Sequence, residues 1–318
     1  MILLLGIPKK NLKRNQPILN DLLTIGVIQT SLNDLAAWND DGSGNWQEIV
    51  QISKIEELRA MKEIRHFLAS LQNTSNKKKT DIILFPELSI PLGFVPKLKR
   101  ATENLESIVI AGLDYRIEKN ENCPTVSNEA VVIIPKKIRN KKIATRTEIR
   151  RVGKTYPARG EEILLNNLGV EFKPHPTIWV FDGGNLGKFA VAICYDFMDL
   201  DRIVMYRNKI QTLFVLAYNR DTTSFNHIAE ALSRMLFCNV VVCNCGKFGG
   251  SIALSPFKKT YKRLVYQHSG QDLSNAQIIQ LPLREIAEHQ SENFSEDLKS
   301  LPPGFNETRN LRFRQQEI

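Results

Sequence analysis

Residues 188–196 read KFAVAICYD, an apolar run that ends at Cys194. A short, continuous apolar run is typical of a strand that is buried on both faces. Residues 200–207 have the pattern of a helix, so Cys194 falls at a strand-to-helix turn. At such a turn a thiol points out of the sheet, and the backbone NH groups after it can bind a developing oxyanion. The position fits a nucleophile, although a packed structural thiol is the commoner role of a cysteine in an apolar run.

The alternation of strands and helices continues on both sides of this run. Further apolar runs predict strands at residues 24–30, 81–85, 107–114, 129–135, 177–182, 212–217, 239–244 and 251–254, and residues 39–45 read as a loop. Helices are predicted around residues 96–104 and 225–237 and along an apolar stripe formed by Ile55, Leu58, Met61, Ile64, Phe67, Leu68 and Leu71. This alternation predicts an α/β fold with buried strands.

The chain divides into an arm, one domain and a tail. Residues 1–22 are rich in Lys, Asn and Pro and show no sustained period, so we expect an N-terminal arm. Residues 23–284 contain neither a repeat nor a break in composition and are predicted to form a single domain. Residues 285–318 are polar and charged, and we expect this tail to wrap around a neighbour or to fray.

The composition of the 318 residues, 42% hydrophobic and 24% charged, predicts a soluble globular protein. The opening apolar run, Met1 to Leu5, is too short for a signal sequence or a membrane span. Cys238, Cys243 and Cys245 lie within or beside an apolar run, which predicts reduced thiols and a cytoplasmic protein. They form no CxxC pair and have no His nearby, so we predict neither a metal site nor a cofactor.

Two further residues belong to the candidate chemistry. Glu87 follows the apolar strand at residues 81–85 and a proline, where a carboxylate has no packing role, although it could also serve as a charge at a helix N-terminus. Lys154 lies in the segment GKTYPARGEE, residues 153–162, and by itself would be read as a surface lysine. Only the combination of the three residues indicates a site.

Positive charge is concentrated just before and around Lys154. Residues 136–159 contain ten basic residues and one acid, Glu148, in a chain whose formal net charge is +9. We expect a positive surface beside the active site, which fits either a solvated loop or an anion-binding role. A nucleic acid partner would contact Arg150 and Arg151, and its affinity would fall steeply with salt.

These segments together resemble the nitrilase, or carbon–nitrogen hydrolase, superfamily over roughly residues 23–282. Residues 84–88, LFPEL, look like the strand that carries the family's general base, and residues 193–196, ICYD, look like its nucleophile motif. The segment with Lys154, Pro157 and Glu162 is similar to the family's lysine motif. Lys142 is an alternative to Lys154, and residues 197–201, FMDLD, depart from the family's Pro-Glu continuation.

The resemblance implies a four-layer αββα sandwich that pairs into an αββα-αββα homodimer, and an enzyme that cleaves a non-peptide C–N bond. Cys194 would attack an amide, carbamoyl or nitrile carbon, with Glu87 as the base. Lys154 and the backbone NH of Tyr195 would hold the developing charge, and Glu162 would position Lys154. The reaction would pass through a thioester and require no cofactor.

A second function stays open at this point. Nitrilase-like domains occur with reverse transcriptases in bacterial defence systems, and residues 87–91, ELSIP, with residues 112–116, GLDYR, look somewhat like those. The chain would then be a binding or regulatory module with little turnover and a nucleic acid or polymerase partner. Stable copurification with such a partner would favour this reading over the enzyme.

Overall fold

The computed structural model describes residues 18–33, 37–38, 49–75, 79–119 and 123–306. Its strands are β1 (Leu22–Gln29), β2 (Ile82–Ile90), β3 (Ile108–Leu113), β4 (Arg116–Glu118), β5 (Thr125–Ser127), β6 (Glu129–Ile134), β7 (Lys137–Ile138), β8 (Lys141–Lys142), β9 (Glu148–Gly153), β10 (Glu171–Phe172), β11 (Phe181–Asp182), β12 (Lys188–Ile193), β13 (Thr212–Ala217), β14 (Asn239–Asn244), β15 (Ser251–Leu254), β16 (Leu264–His268) and β17 (Asn275–Pro282). Its helices are α1 (Lys54–Ser75), α2 (Val95–Leu105), α3 (Arg159–Asn167), α4 (Leu200–Tyr206), α5 (Thr222–Met235), α6 (Thr260–Arg263) and α7 (Arg284–Gln290). The loop predicted at residues 39–45 and residues 1–17 of the predicted arm lie outside the described residues.

Two mixed sheets form the centre of the molecule. The first has the strand order β17-β1-β2-β3-β6-β9, and the second has the order β11-β12-β13-β14-β15-β16. In the first, β1, β2 and β3 are parallel, and in the second, β12, β13 and β14 are parallel. Since parallel strands bring their carboxyl ends to one edge, Glu87 of β2 and Cys194, directly after β12, lie at comparable edges of the two sheets.

The two sheets pack face to face through alternate residues of their strands. Leu84 faces the second sheet and shares a core with Val191 and Val241, whereas Ile83 and Phe85 face the opposite side of the first sheet. Helices α1 and α2 cover that opposite side, and α5 covers the second sheet through Phe225, Ala229 and Leu232. Buried faces on both sides explain why the strands read as continuous apolar runs.

Helix α1 forms where the apolar stripe predicts it, but the stripe is not buried along its full length. Ile64, Phe67, Leu68 and Leu71 are buried against the first sheet, while Ile55 and Leu58 are 81% and 70% exposed. In the first turns Glu56 is buried instead, because its carboxylate accepts a hydrogen bond from the backbone NH of Asn33 at 2.9 Å. The strand predicted at residues 177–182 is also shorter, and only Phe181–Asp182 pairs as β11.

The tail does not leave the domain at residue 285, because α7 spans the predicted boundary. Ile286, Leu298 and Phe305 are buried against Phe237, and Leu298 forms a bridge with Phe257. For residues 285–306 the prediction of a fraying or neighbour-wrapping tail is therefore wrong, since a few apolar side chains fasten this polar segment to its own chain. Among the described residues, no helix is both long enough and apolar enough to cross a membrane.

Candidate active site

Glu87 lies at an irregularity of β2 that turns its carboxylate toward the second sheet. Phe85 pairs with Ala111 and Ile90 pairs with Leu113, so four residues of β2 stand opposite Gly112 alone. A Cβ on Gly112 would lie 2.3 Å from the carbonyl oxygen of Pro86 and 2.4 Å from Glu87 Cα, so only glycine fits here. The residue after Glu87, Leu88, adopts a φ of 55°. Such bulges re-aim side chains next to functional sites.

Cys194 lies where β12 passes into a short 3-10 turn, Cys194–Met198. Its φ of 45° is in the left-handed region, which is strained for a residue with a Cβ and is concentrated at functional sites. The side chain is 7% exposed, and both Glu87 and Lys154 act on its charge. The predicted oxyanion donor Tyr195 is the next residue of the turn, with its own side chain half exposed.

Lys154 lies at the centre of the site, close to Glu87 of the first sheet and Cys194 of the second. It follows β9, and its Nζ donates to Glu87 Oε1 at 2.9 Å and to Glu161 Oε2 at 2.7 Å. Lys154 and Glu87 are each 2% exposed. The structure thus brings the three predicted residues Glu87, Lys154 and Cys194 together as buried groups, between which charges interact strongly because the local dielectric constant is low.

The partner that we predicted for Lys154 is Glu162, but the contact is made by Glu161. Helix α3 begins at Arg159, and Glu161 reaches back to accept from the backbone NH of Ala158 at 3.0 Å as well as from Lys154. Glu162 is one residue, or about 100° of helix rotation, further on and is exposed to solvent. The helix start, which the resemblance did not supply, decides which of the two glutamates faces the site.

Tyr115 and Asn128 complete a polar network that the sequence analysis did not assign. The Tyr115 hydroxyl donates to Glu161 Oε1 at 2.6 Å. Asn128 Nδ2 donates to the same oxygen at 3.1 Å and to Glu87 Oε1 at 2.9 Å, while the backbone NH of Tyr218 donates to Glu87 Oε2 at 2.9 Å. Both carboxylates are therefore held in fixed orientations. Asn128 and Tyr115 were visible in the sequence only as parts of segments near the strand ends.

A second buried network ties the lysine loop to the nucleophile turn. The Asp196 carboxylate, two residues after Cys194, accepts from the backbone NH groups of Thr155 and Tyr156 at 2.9–3.1 Å. Buried Arg202 of α4 lies 3.1 Å from Asp196 and donates to Thr155 Oγ1 at 2.6 Å. Burial raises the pKa of Asp196, opposed by the Arg202 guanidinium. The two charged residues of this network flank residues 197–201, which depart from the Pro-Glu continuation expected from the resemblance.

The charges of the site set the resting protonation states. Burial, reinforced by the Glu87 carboxylate, raises the pKa of the Cys194 thiol well above its usual value, with Lys154 opposing. Burial works against the Lys154 ammonium, but Glu87 and Glu161 outweigh it and raise the pKa of Lys154. The Glu161 carboxyl is also buried, yet Lys154 and the hydrogen bonds lower its pKa. The site thus holds a neutral thiol beside an ammonium and carboxylates.

Two other buried thiols, those of Cys238 and Cys243, lie in a different environment. Burial raises the pKa of Cys238 and Cys243, and among the described residues no carboxylate or ammonium group acts on either thiol. In the part of the chain that the structure describes, no group of three or more His, Cys, Asp or Glu residues is placed to hold a metal ion.

The basic segment is not one surface beside the site. The hairpin of β7 and β8, with the alternative lysine Lys142, lies at the amino end of β2, where Arg139 binds the buried Asp81. Glu87 lies further along β2, toward its carboxyl end. Because a strand advances about 3.3 Å per residue, Glu87 is well separated from the hairpin. Arg150 and Arg151 form ion pairs with Glu148 and Glu129. The expectation of a positive surface beside the active site is wrong for the hairpin, because β9 carries the chain from the hairpin end of the sheet to the end where Lys154 lies.

Comparisons with known proteins support the fold. No protein-family model matches the sequence, and no curated protein matches it. Among solved structures, Nit3 of Saccharomyces cerevisiae, a member of branch 10 of the nitrilase superfamily, aligns at a TM-score of 0.58 and 14% identity over 86% of this chain and 95% of its own. XC1258 of Xanthomonas campestris, a CN-hydrolase superfamily protein with an arsenic adduct in its active site, aligns at 0.56 and 13% over 85% and 94%.

A third structure is a mutant of the amidase from Nesterenkonia sp. AN1, which shows covalent addition of the acetamide moiety of fluoroacetamide at the active-site cysteine. It aligns at a TM-score of 0.55 and 13% identity over 87% of this chain and 96% of its own. At these identities the likeness shows the fold. The chain has the fold of the nitrilase superfamily, as the sequence motifs indicated.

Proposed function

We propose that this chain is a carbon–nitrogen hydrolase that uses Cys194 as nucleophile, Glu87 as general base and Lys154 as electrostatic stabiliser. The observation that carries the proposal is the buried contact of Glu87 with Lys154 next to a thiol in a left-handed turn. A buried ammonium between two carboxylates is expensive to assemble for stability alone, so the arrangement favours a chemical role.

The first half of the reaction follows from these groups. Because the Cys194 thiol is neutral at rest, Glu87 takes its proton as the sulfur attacks the amide or nitrile carbon. For an amide, the carbonyl oxygen becomes an oxyanion that Lys154 Nζ and the backbone NH of Tyr195 stabilise. Glu87 then gives the proton to the nitrogen, and the C–N bond breaks. Ammonia or an amine departs, and the acyl group remains on Cys194 as a thioester.

The second half regenerates the enzyme. Water attacks the thioester carbon while Glu87 accepts one of its protons, and the C–S bond breaks to release the acid. The proton returns to the thiolate. Glu161, rather than Glu162, would keep Lys154 in place throughout, because it contacts Nζ directly.

Small amides are the first substrates to test, since the Nesterenkonia amidase has been seen with an acetamide adduct and with butyramide. Amides, carbamoyl compounds and nitriles would be compared by ammonia release. We expect at least one to be turned over by the wild type and by Cys123→Ala, a half-buried control cysteine, but not by Cys194→Ala. Glu87→Gln should also be inactive, because it keeps the shape but removes the base.

Trapping of the intermediate separates this chemistry from others. Mass spectrometry of a rapidly quenched reaction should place an acyl group on the peptide that contains Cys194 and not on those with Cys238, Cys243 or Cys245. Wild-type turnover in folded Cys194→Ala would overturn the proposal.

We further propose that the helices and the two sheets make a four-layer αββα sandwich, with α1 and α2 on one side and α5 on the other, and that two copies pair. The supporting packing is that of α1 and α2 on the first sheet and of α5 on the second. Pairing would use the apolar side chains that the nucleophile turn and α4 leave exposed.

A further inference from the structure

A separate cavity of about 440 Å³ lies on the outer side of α5. Its walls are α5, the segment that follows β15, the end of α6 and Lys299. Ligand pockets in proteins typically have volumes of about 300–1,000 Å³, so the cavity is large enough for a small organic molecule.

The cavity lies at the other end of the second sheet from Cys194. β13 ends near the active site, and α5 then runs back toward the start of β14 at Asn239. Ser255, which lines the cavity, donates from its hydroxyl to Asn239 Oδ1 at 2.7 Å. A molecule bound here cannot reach the nucleophile, so the cavity is not part of the proposed catalytic site.

Positive charge dominates the lining. Arg234, Arg263 and Lys299 are set against a single lining carboxylate, Glu230, which is exposed and 3.6 Å from Arg263. Burial and the nearby Arg263 together lower the pKa of Arg234, so the two guanidinium groups repel each other across the cavity. An anion between them would relieve this repulsion.

Backbone carbonyl groups hold the two guanidinium groups in place without neutralising them. Arg263 donates from Nε to the Phe257 carbonyl at 3.0 Å and from Nη2 to the Lys258 carbonyl at 3.2 Å, and Arg234 donates to the carbonyl of Ser300. Both side chains are thereby pre-organised, which reduces the entropy lost when they bind an anion.

Part of the remaining lining is apolar, and the rest is formed by His227, Ser233 and Ser255. Ala231, Leu254, Pro256 and Phe257 contribute carbon surface next to the charged groups. A free inorganic anion would leave this surface in water, whereas an anion attached to a flat ring would cover it. The lining therefore fits a ligand with one strongly anionic end and one apolar end.

We propose that this cavity binds a phosphomonoester joined to a ring system, that is, a nucleoside phosphate, either free or as the 5′ end of a polynucleotide. A phosphomonoester carries nearly two negative charges at neutral pH and offers three acceptor oxygens, which suit two guanidinium groups and an ammonium. The proposal does not depend on the hydrolase activity.

Calorimetric titration of the full chain tests the chemistry of the ligand. AMP should bind, adenosine should bind at least about tenfold more weakly because it lacks the phosphate, and inorganic phosphate should also be weaker because it lacks the ring. A short 5′-phosphorylated RNA is compared with the same RNA bearing a 5′-hydroxyl. Equal affinity for AMP and the phosphorylated RNA indicates a free nucleotide site, and tighter binding of the phosphorylated RNA indicates a polynucleotide end.

Four variants test the location. Arg234→Gln and Lys299→Gln should each weaken AMP binding about fivefold or more. Arg100→Gln, the same change of charge at an exposed position of α2, should leave it unchanged. Glu230→Gln should tighten binding, a result that local unfolding cannot produce. Because Arg234 also donates to the Ser300 carbonyl, its replacement removes a contact of the fold as well as a positive charge. Lys299→Gln leaves that contact intact and therefore tests the charge alone.

The proposal fails if neither AMP nor the phosphorylated RNA binds, or if binding does not respond to these variants. RNA binding that ignores the 5′-phosphate would also overturn it.

Discussion

Lys154 is the residue whose environment most restricts its chemistry. Glu87 and Glu161 flank its ammonium group at 2.9 and 2.7 Å and raise its pKa. A lysine that stays protonated cannot act as a base at neutral pH. In the proposed reaction its contribution is therefore a fixed positive charge that stabilises the developing oxyanion.

Replacing Lys154 by Met should lower kcat by about a hundredfold or more, because it removes a pre-organised donor. Lys142→Met should have little effect, since Lys142 is exposed in β8 at the opposite end of the sheet. Steady-state kinetics on the amide with the highest turnover compares the two variants. Lys154→Met also leaves two buried carboxylates facing each other, so thermal melting must show that the variant is folded at the assay temperature. Equal losses in both variants would contradict the assignment.

Glu161→Gln and Glu162→Gln form a second matched pair. Glu161→Gln removes one of the two charges that hold Lys154 and should lower kcat about tenfold or more, whereas Glu162→Gln changes an exposed side chain and should leave kcat unchanged. Steady-state kinetics on the same amide checks both. The reverse order of effects would restore Glu162 to the site.

The sequence allowed Glu87, Lys154 and Cys194 to be predicted because each lies next to an apolar strand or in a recognisable motif. Glu161, Tyr115 and Asn128 could not be assigned in the same way. Their contacts depend on where α3 begins and how β2 buckles around Gly112, and both are set by packing rather than by local pattern. The order of the motifs along the chain therefore indicated the candidate site but not all of its hydrogen bonds.

At the scale of elements, the most buried strands were predicted best. The bounds of β12, β13, β14 and β15 are as predicted, because each strand is a short buried apolar run. Exposed or irregular segments were predicted less well. Ile55 and Leu58 fit the stripe of α1 but extend beyond the sheet that the helix covers, and the tail's few apolar residues gave no periodic signal.

Asp114 links the end of β3 to the segment that precedes α1, and its titration should make the stability of the protein depend on pH. Its carboxylate, at the end of β3, accepts from the backbone NH groups of Ile52 and Tyr115 at 3.1 and 2.9 Å. Burial raises the pKa of Asp114 from 3.8 to about 7. The folded state therefore holds a proton that the unfolded state releases, so between about pH 4 and pH 7 this group makes the protein less stable as pH rises.

Asp114→Asn removes this titration. Its melting temperature relative to wild type should rise between about pH 4 and pH 7 and then level off, whereas Asp182→Asn, an exposed control, should shift in parallel with wild type. Scanning calorimetry across this range provides the measurement. A difference that stays constant with pH would show that Asp114 is ionised in the folded protein throughout.

At the scale of the whole molecule, apolar surface remains exposed to solvent beside Cys194. Leu200 and Val204 are 75% and 65% exposed, and their spacing of four places them on one face of α4. Tyr195 and Met198 of the nucleophile turn are exposed as well. Contiguous apolar residues of this kind mark interaction surfaces, which fits the homodimer expected from the resemblance.

We predict that the protein is a dimer at micromolar concentration and that Leu200→Glu combined with Val204→Glu makes it monomeric, because two charges would be buried unpaired in a self-complementary interface of about 800 Å² on each copy. Ile55→Glu with Leu58→Glu is the matched control, since these two apolar residues are similarly exposed but lie in the first turns of α1, on a different element from the proposed interface. Multi-angle light scattering gives the mass directly. A monomeric wild type would show that there is no such interface. A dimer that survives the α4 double variant but not the α1 double variant would place the interface elsewhere.

Because α4 also carries Arg202, which is linked through Asp196 to the loop of Lys154, a monomeric variant that folds normally should lose activity through kcat more than through KM.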